Sequence, residues 1–182
     1  HDERSGTREG ITLTDELFTL PQSIQKANFS HEVEARWRLV ETAWDLNVSR
    51  NLITVDYDVD EESFYTIGKS LRRITITSCR KSLNGYQKGK CLYCFDNISI
   101  VTGAETLADV DHFFPHILKK FKEIPKLDGV WNLVLACQKC NRGETGKFAR
   151  VPALPYLERL HKRNEFLISS HHPLRETIIN QT

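Results

Sequence analysis

Methionine is absent from all 182 residues, the first position included. A chain without an initiator reads as a fragment, a processed protein or one with a trimmed end. No apolar run approaches the roughly 18 residues that a membrane helix needs. No signal-peptide pattern opens the chain, so no membrane partner is expected. No internal repeat is visible, which argues against a repeat architecture. Net charge is also lacking, because 25 Lys and Arg stand against 24 Asp and Glu and leave +1. The overall balance therefore says nothing about a nucleic-acid partner. With 40% hydrophobic and 27% charged residues the composition is that of an ordinary globular protein. Its length suits one domain, or a domain with an appendage, able to bury a core without help.

What is present begins with five cysteines. Four form the pairs Cys91-x-x-Cys94 and Cys137-x-x-Cys140, and Cys79 is left over. An odd count containing two such pairs favours metal over disulfides, and so a reducing, cytoplasmic setting. The Asn-x-Ser triplets at Asn28, Asn47 and Asn97 are read as chance matches. Charge is unevenly spread. Lys69, Arg72, Arg73, Arg80, Lys81, Lys88 and Lys90 follow one another without an acidic residue, just after Asp56, Asp58, Asp60, Glu61 and Glu62. The basic run reads either as a solvated helix face or as a phosphate-facing surface.

Along the chain, residues 1–29 are polar and interrupted, and read as a loose arm. Ser30 offers an N-cap to a helix over His31–Leu46, on which Val33, Trp37, Val40 and Trp44 recur at helical spacing. The two Trp are expected as core anchors. Leu52–Tyr57 reads as a strand and Ser70–Leu83 as a second helix, stopped by Asn84-Gly85. Ile98–Thr102, Ala108–Phe113 and Asn132–Ala136 read as short strands. Lys119–Lys126 is a basic connection, and Cys137–Lys147 begins a helix. Leu154–Phe166 suggests another helix, with a further turn at Arg175–Ile179. The divisions expected are a mainly helical region with a polar arm over 1–80, a chemical core over 81–153 and a helical extension over 154–182.

A two-residue gap lets both thiolates of a pair reach one cation from a single turn, and two pairs close a tetrahedral zinc site. The 42 residues from Phe95 to Ala136 between them must carry structure of their own. A closed four-thiolate zinc leaves no place for water, so its role would be to staple and not to catalyse.

The insert holds Ala108-Asp-Val-Asp-His-Phe-Phe-Pro115, followed by Asn132-Leu-Val-Leu-Ala-Cys-Gln-Lys-Cys-Asn141. A Cys-x-x-Cys, an Asp-His followed by Pro, an Asn opening an apolar strand and a Cys-x-x-Cys-Asn, in this order, resemble the HNH endonuclease family over residues 80–152. The resemblance implies an α+β fold with a ββα-metal core and zinc knuckles, preceded and followed by helices. It implies an enzyme that hydrolyses the phosphodiester bonds of double-stranded DNA. His112 would be the general base, and Asp111 and Asn141 the ligands of a catalytic Mg²⁺ or Mn²⁺. Asn132 would brace the loop, and Cys91, Cys94, Cys137 and Cys140 would hold the structural zinc. Asn141 stands where some members carry a third His, which favours an oxygen-loving metal. Such nucleases often serve restriction, anti-phage defence or guide-RNA systems.

The chemistry needed agrees with these roles. A water must lose its proton near neutral pH, where His titrates. A cation must meet charge at the phosphate. Because adjacent strand residues face opposite ways, Asp111 and His112 need a bend or a strand end to reach one phosphate. Lys147, Arg142 and Arg150, with Arg80 and Lys81 from the basic run, are the expected DNA contacts. His116 is read as a surface or structural group, with an extra ligand as the alternative. The rival reading is a non-catalytic, zinc-stapled nucleic-acid-binding module within a larger complex. A third is an interaction domain that docks through the Trp37/Trp44 face.

Overall fold

The computed structural model describes residues 2–3, 10–11, 15, 24–45, 54–67, 73–121, 126–170 and 172–182. The structure is α+β, with small antiparallel sheets set among helices. Strands β1 (Asp2–Glu3) and β2 (Gly10–Ile11) pair ahead of helix α1 (Ile24–Asp45). Strands β3 (Asp56–Asp58), β4 (Ser63–Ile67) and β5 (Arg73–Ser78) form a meander. Helix α2 (Cys79–Gln87) follows β5 without a break. Strands β6 (Asp109–His112) and β7 (Leu133–Ala136) make a separate antiparallel pair, with Asp111 opposite Val134 and His112 opposite Leu133. Helices α3 (Gln138–Arg142), α4 (Leu154–Ser169) and α5 (Arg175–Gln181) complete the chain. Among the described residues no helix is long and apolar enough to cross a membrane.

Several expectations are corrected. The helix read over Ser70–Leu83 is a strand as far as Ser78, and residues 70–72 lie outside the described residues. Arg73-Ile-Thr-Ile-Thr-Ser78 is rich in β-branched residues, which favour a pleated surface. Its pairing with β4, through an irregularity at Phe64/Tyr65, decides the matter. Asn84-Gly85 is helix interior, not a stop. A Cβ at Gly85 would lie 3.1 Å from the Glu32 Cγ, so glycine lets α1 come close. The stop comes one turn later. There Lys88 turns left-handed at φ 52°, and the Asn84 side chain accepts the Gly89 amide at 2.7 Å. Ser30 is interior to α1, which begins about two turns earlier than expected, and Leu46 lies outside the described residues. In place of the strand read over Ile98–Thr102 only an isolated bridge forms, Ser99 to Leu107. The strand read over Leu52–Tyr57 appears as β3, with 52 and 53 outside the described residues. Positions 80 and 81 lie inside α2, and the described residues before them hold one long helix and two small sheets.

The two tryptophans are not core anchors. Trp37 and Trp44 are 50% and 60% exposed, packed edge-to-face on each other at 5.4 Å. Ala35 and Leu39 form the buried stripe of α1 instead. Polar contacts complete that interface. Glu32 meets Lys88 at 2.5 Å and Glu34 meets Lys81 at 2.7 Å, while Arg80 pairs with Glu62. Part of the basic run is therefore an electrostatic seam within the molecule.

Strand β7 is buried along its whole length. The Gln87 side chain supplies its missing edge partner, donating to the Leu135 carbonyl and accepting the Leu135 amide, both at 2.8 Å. This leaves no orphan backbone group at Leu135, in the centre of the core.

Near the C-terminal helix, His172 is buried and its Nδ1 accepts the Leu174 amide at 3.1 Å. Burial first, then the charges of Arg36 and Arg163, push His172 down to about 3. The unfolded chain, with an ordinary imidazole, therefore binds a proton that the folded chain refuses. The His172 contribution is fully present above the ordinary histidine value and is lost progressively as pH falls toward 3. Going from pH 7 to 5 should cost about 2 kcal/mol through this group. His172→Asn, which can keep the acceptor, should flatten the acid limb of a thermal-melt series by about that amount. An unchanged limb would assign the acid sensitivity elsewhere.

Candidate functional site

The four paired cysteines converge. Their sulfurs lie within 4.8 Å of one another, and the Cys94 and Cys137 sulfurs are 3.7 Å apart. A tetrahedral zinc with bonds of about 2.3 Å requires sulfur separations of about 3.8 Å. Backbone amides point at three of the sulfurs: Asp96 N to Cys94, Cys137 N to Cys91 and Cys140 N to Cys137, at 3.3–3.4 Å. Such donors favour thiolate over thiol. Burial first, then the neighbouring sulfurs, raises the Cys140 thiol well above its ordinary range. Four like charges so close need a dication, and the cluster can hold a zinc ion. Cys79 is wholly buried away from the cluster, in the core beside Leu83.

The second knuckle also launches a helix. Cys137 is the N-cap of α3, so its metal-ligating position and the start of the helix are the same residue. The chain then folds back, with Lys147 N on the Cys140 carbonyl at 2.7 Å and Phe148 N on the Asn141 carbonyl at 2.9 Å. A Cβ at Gly146 would lie 2.8 Å from the Gly143 nitrogen, so only glycine allows this return. It delivers Lys147 to Asp111, Nζ to Oδ1 3.1 Å, with both side chains 7% exposed.

Asp111 is thus held from two sides, because Tyr93 OH donates to its other oxygen at 2.5 Å. Burial raises the Asp111 pKa against the pull of Lys147 and Tyr93. The Lys147 ammonium sits among three oxygens: Asp111 Oδ1, the His112 carbonyl at 2.9 Å and the Phe148 carbonyl at 3.2 Å. That is a cradle for positive charge. Asn141 is not brought to Asp111 as expected. Its Nδ2 donates to Asp109 Oδ2 at 3.1 Å, an oxygen that also meets Arg142 Nε at 3.0 Å. Sequence reasoning missed Asp109, although strand alternation places it on the same side as Asp111. The two carboxylates of β6 are therefore both met by protein donors, Asp111 by Lys147 and Tyr93 and Asp109 by Asn141 and Arg142.

His112 turns elsewhere. Its Nε2 is 2.8 Å from His116 Nε2 and 3.2 Å from Asp128 Oδ1, and the Tyr57 ring packs 5.8 Å away. Burial first, then the charges of His116 and Lys119, push His112 down to about 4 against the pull of Asp128. The direction favours the neutral imidazole and at the same time weakens it as a base. The sequence carried no signal for Asp128, which lies 16 residues further along the chain.

Asn132 is fully buried and braces that segment. It accepts the Phe114 amide at 2.8 Å and donates to the Phe114 and Leu127 carbonyls at 2.9 and 2.8 Å. Arg163 on α4 clamps the backbone on either side, donating to the carbonyls of Val130, Trp131 and Leu133 at 3.1, 3.1 and 2.7 Å.

The five expected DNA contacts all have partners in the protein. Lys147 meets Asp111 and Arg142 meets Asp109, while Lys81 meets Glu34. Arg80 meets Glu62 and the Ala108 carbonyl. Arg150 donates to the Thr145 and Gly146 carbonyls. Two hollows flank Lys147. One of about 260 Å³ is lined by Asp111, His112, His116 and Lys147, and one of about 310 Å³ by Tyr93, Lys139, Lys147 and Arg150. No protein-family model, curated protein or solved structure matches the chain.

Proposed function

We propose that this protein is a metal-dependent endonuclease of the HNH type that hydrolyses phosphodiester bonds in double-stranded DNA. The observation that carries the reading is the hollow of about 260 Å³ that Asp111, His112 and Lys147 share. Asp111 and His112, adjacent on β6, both line that hollow, which supports the reading.

In this reading the Nε2 of His112 accepts the proton of the attacking water. Asp111 would hold a Mg²⁺ or Mn²⁺, and Asn141 would join it only by giving up its bond to Asp109. Such a cation, when bound, supplies charge stabilisation at the scissile phosphate and the leaving oxygen. Lys147 can give up Asp111 for a phosphate oxygen without leaving the hollow. Asn132 and Arg163 hold the His112 segment in place from behind. Cleavage leaves a 5′-phosphate and a 3′-hydroxyl. The exposed Trp37–Trp44 pair favours docking of α1 on a larger assembly, as in a restriction or anti-phage defence system.

The zinc-loaded protein should nick or linearise supercoiled plasmid when Mg²⁺ or Mn²⁺ is added, and should leave it intact without either. Plasmid that survives both metals would leave the zinc-stapled binding module as the better reading.

A further inference from the structure

Among the described residues, one other group of potential ligands converges as closely as the cysteines. We propose that His112, His116 and Asp128 form a second metal site, for a divalent cation of the zinc class, that switches the protein off.

Three donor atoms from three segments meet in a small triangle. The two imidazole Nε2 atoms are 2.8 Å apart, and Asp128 Oδ1 lies 3.2 Å from the first and 3.0 Å from the second. At most one proton fits between the two ring nitrogens. Asp128 Oδ1 is inaccessible to solvent and has no hydrogen-bond partner, despite its two close neighbours. Its companion Oδ2 is fixed by Lys119 at 2.5 Å, which holds Oδ1 toward the rings. A carboxylate oxygen cut off from solvent and 3.0–3.2 Å from two ring nitrogens is an arrangement that a cation shared by the three would satisfy.

The donors select the metal. Two imidazoles and one carboxylate suit Zn²⁺, Co²⁺ or Ni²⁺ and not Mg²⁺. Tetrahedral zinc with bonds of about 2.0–2.1 Å needs ligand separations of about 3.3–3.4 Å, so the His–His edge must open by about half an ångström and the other two by less. His116 is the exposed first residue of a short 3-10 helix, so its side chain can make that adjustment. His112 and His116 line the hollow of about 260 Å³, which leaves room for a water as fourth ligand.

A metal on His112 Nε2 takes the lone pair that would accept the proton. This consequence rests on the role proposed for His112, whereas the site itself does not. Zinc would then have two opposite effects on one molecule, staple at the cysteines and inhibitor at the histidines.

The test starts from protein with the four-cysteine cluster already filled with zinc. Titrated Co²⁺ should add one equivalent with visible d–d bands and no thiolate charge-transfer band. His116→Ala and Asp128→Asn should each lose that equivalent while keeping the first zinc. A wild-type protein that takes up no second metal, or a His116→Ala variant that still does, would overturn the site. Micromolar Zn²⁺ added to a Mg²⁺ cleavage reaction should inhibit the wild type and spare His116→Ala, each compared with its own rate before zinc. Binding without inhibition would uphold the site and overturn the role given to His112.

Discussion

Cys140→Ser is expected to lose bound zinc, the thermal transition of the 81–153 segment and any cleavage together. The four thiolates are the meeting point of the knuckle before β6 and the start of α3. Structural zinc contributes on the order of 10 kcal/mol or more of binding free energy, which becomes folding free energy when no site exists in the unfolded chain. A natural domain has only about 5–15 kcal/mol of stability in all. Without the metal, the fold-back that carries Lys147 to Asp111 loses its anchor, because Lys147 N is bonded to the carbonyl of Cys140 itself. Zinc content by metal analysis and a melt by circular dichroism on the same sample check this. Asn141→Ala provides the contrast: zinc and melt should stay and cleavage should go. A Cys140→Ser protein that melts like the wild type would show that the cluster staples nothing.

Arg163→Ala should be the most damaging substitution outside the cysteines. Arg163 is 2% exposed, and every acceptor its guanidinium finds is a backbone carbonyl, none a carboxylate. Burial pushes it down to about 9, so it is still charged at neutral pH. Truncation leaves a cavity and three carbonyls short of a donor, for a loss of about 3–5 kcal/mol. For a chain of this size that lowers the melting temperature by roughly 10 °C. The effect reaches the cleft because the clamped carbonyls flank Asn132, whose amide ties down Phe114 and Leu127 on either side of the His116 turn. Arg163→Lys keeps the charge but cannot reach three acceptors, and should recover only part of the loss. A change under about 1 kcal/mol would mean the carbonyls find water or other donors.

The legible parts of this protein were those written locally. Cys-x-x-Cys spacing is a property of one turn, and both knuckles form where the spacing puts them. Strands β6 and β7 follow from short apolar or alternating runs bounded by Pro115 and Cys137, and α4 from its apolar period. Legibility ended where distant partners decide. The segment 73–78 has enough Arg, Leu and Ile spacing around it to pass for a helix, and only its pairing with β4 makes it a strand. Trp37 and Trp44 have a core-like spacing, yet the small Ala35 and the Leu39 face are what α2 can approach closely. Counting basic residues suggested a DNA surface. Glu32, Glu34, Glu62, Asp109 and Asp111 lie far off in sequence and take up the charges. The Asp128 contact to His112 was illegible for the same reason. The two residues lie 16 apart in sequence, and Asn132 ties Phe114 and Leu127 together between them.

The central claim is that His112 is the proton acceptor in a metal-dependent cut. The direct measurement is the rate of supercoiled plasmid cleavage in Mg²⁺ by wild type and His112→Ala, with zinc content and melting curve recorded for both. General-base catalysis is worth roughly 10²–10⁴-fold, so the variant should fall by at least about 100-fold while its zinc and fold remain. Cleavage at the wild-type rate by a folded, zinc-loaded His112→Ala protein would contradict the account.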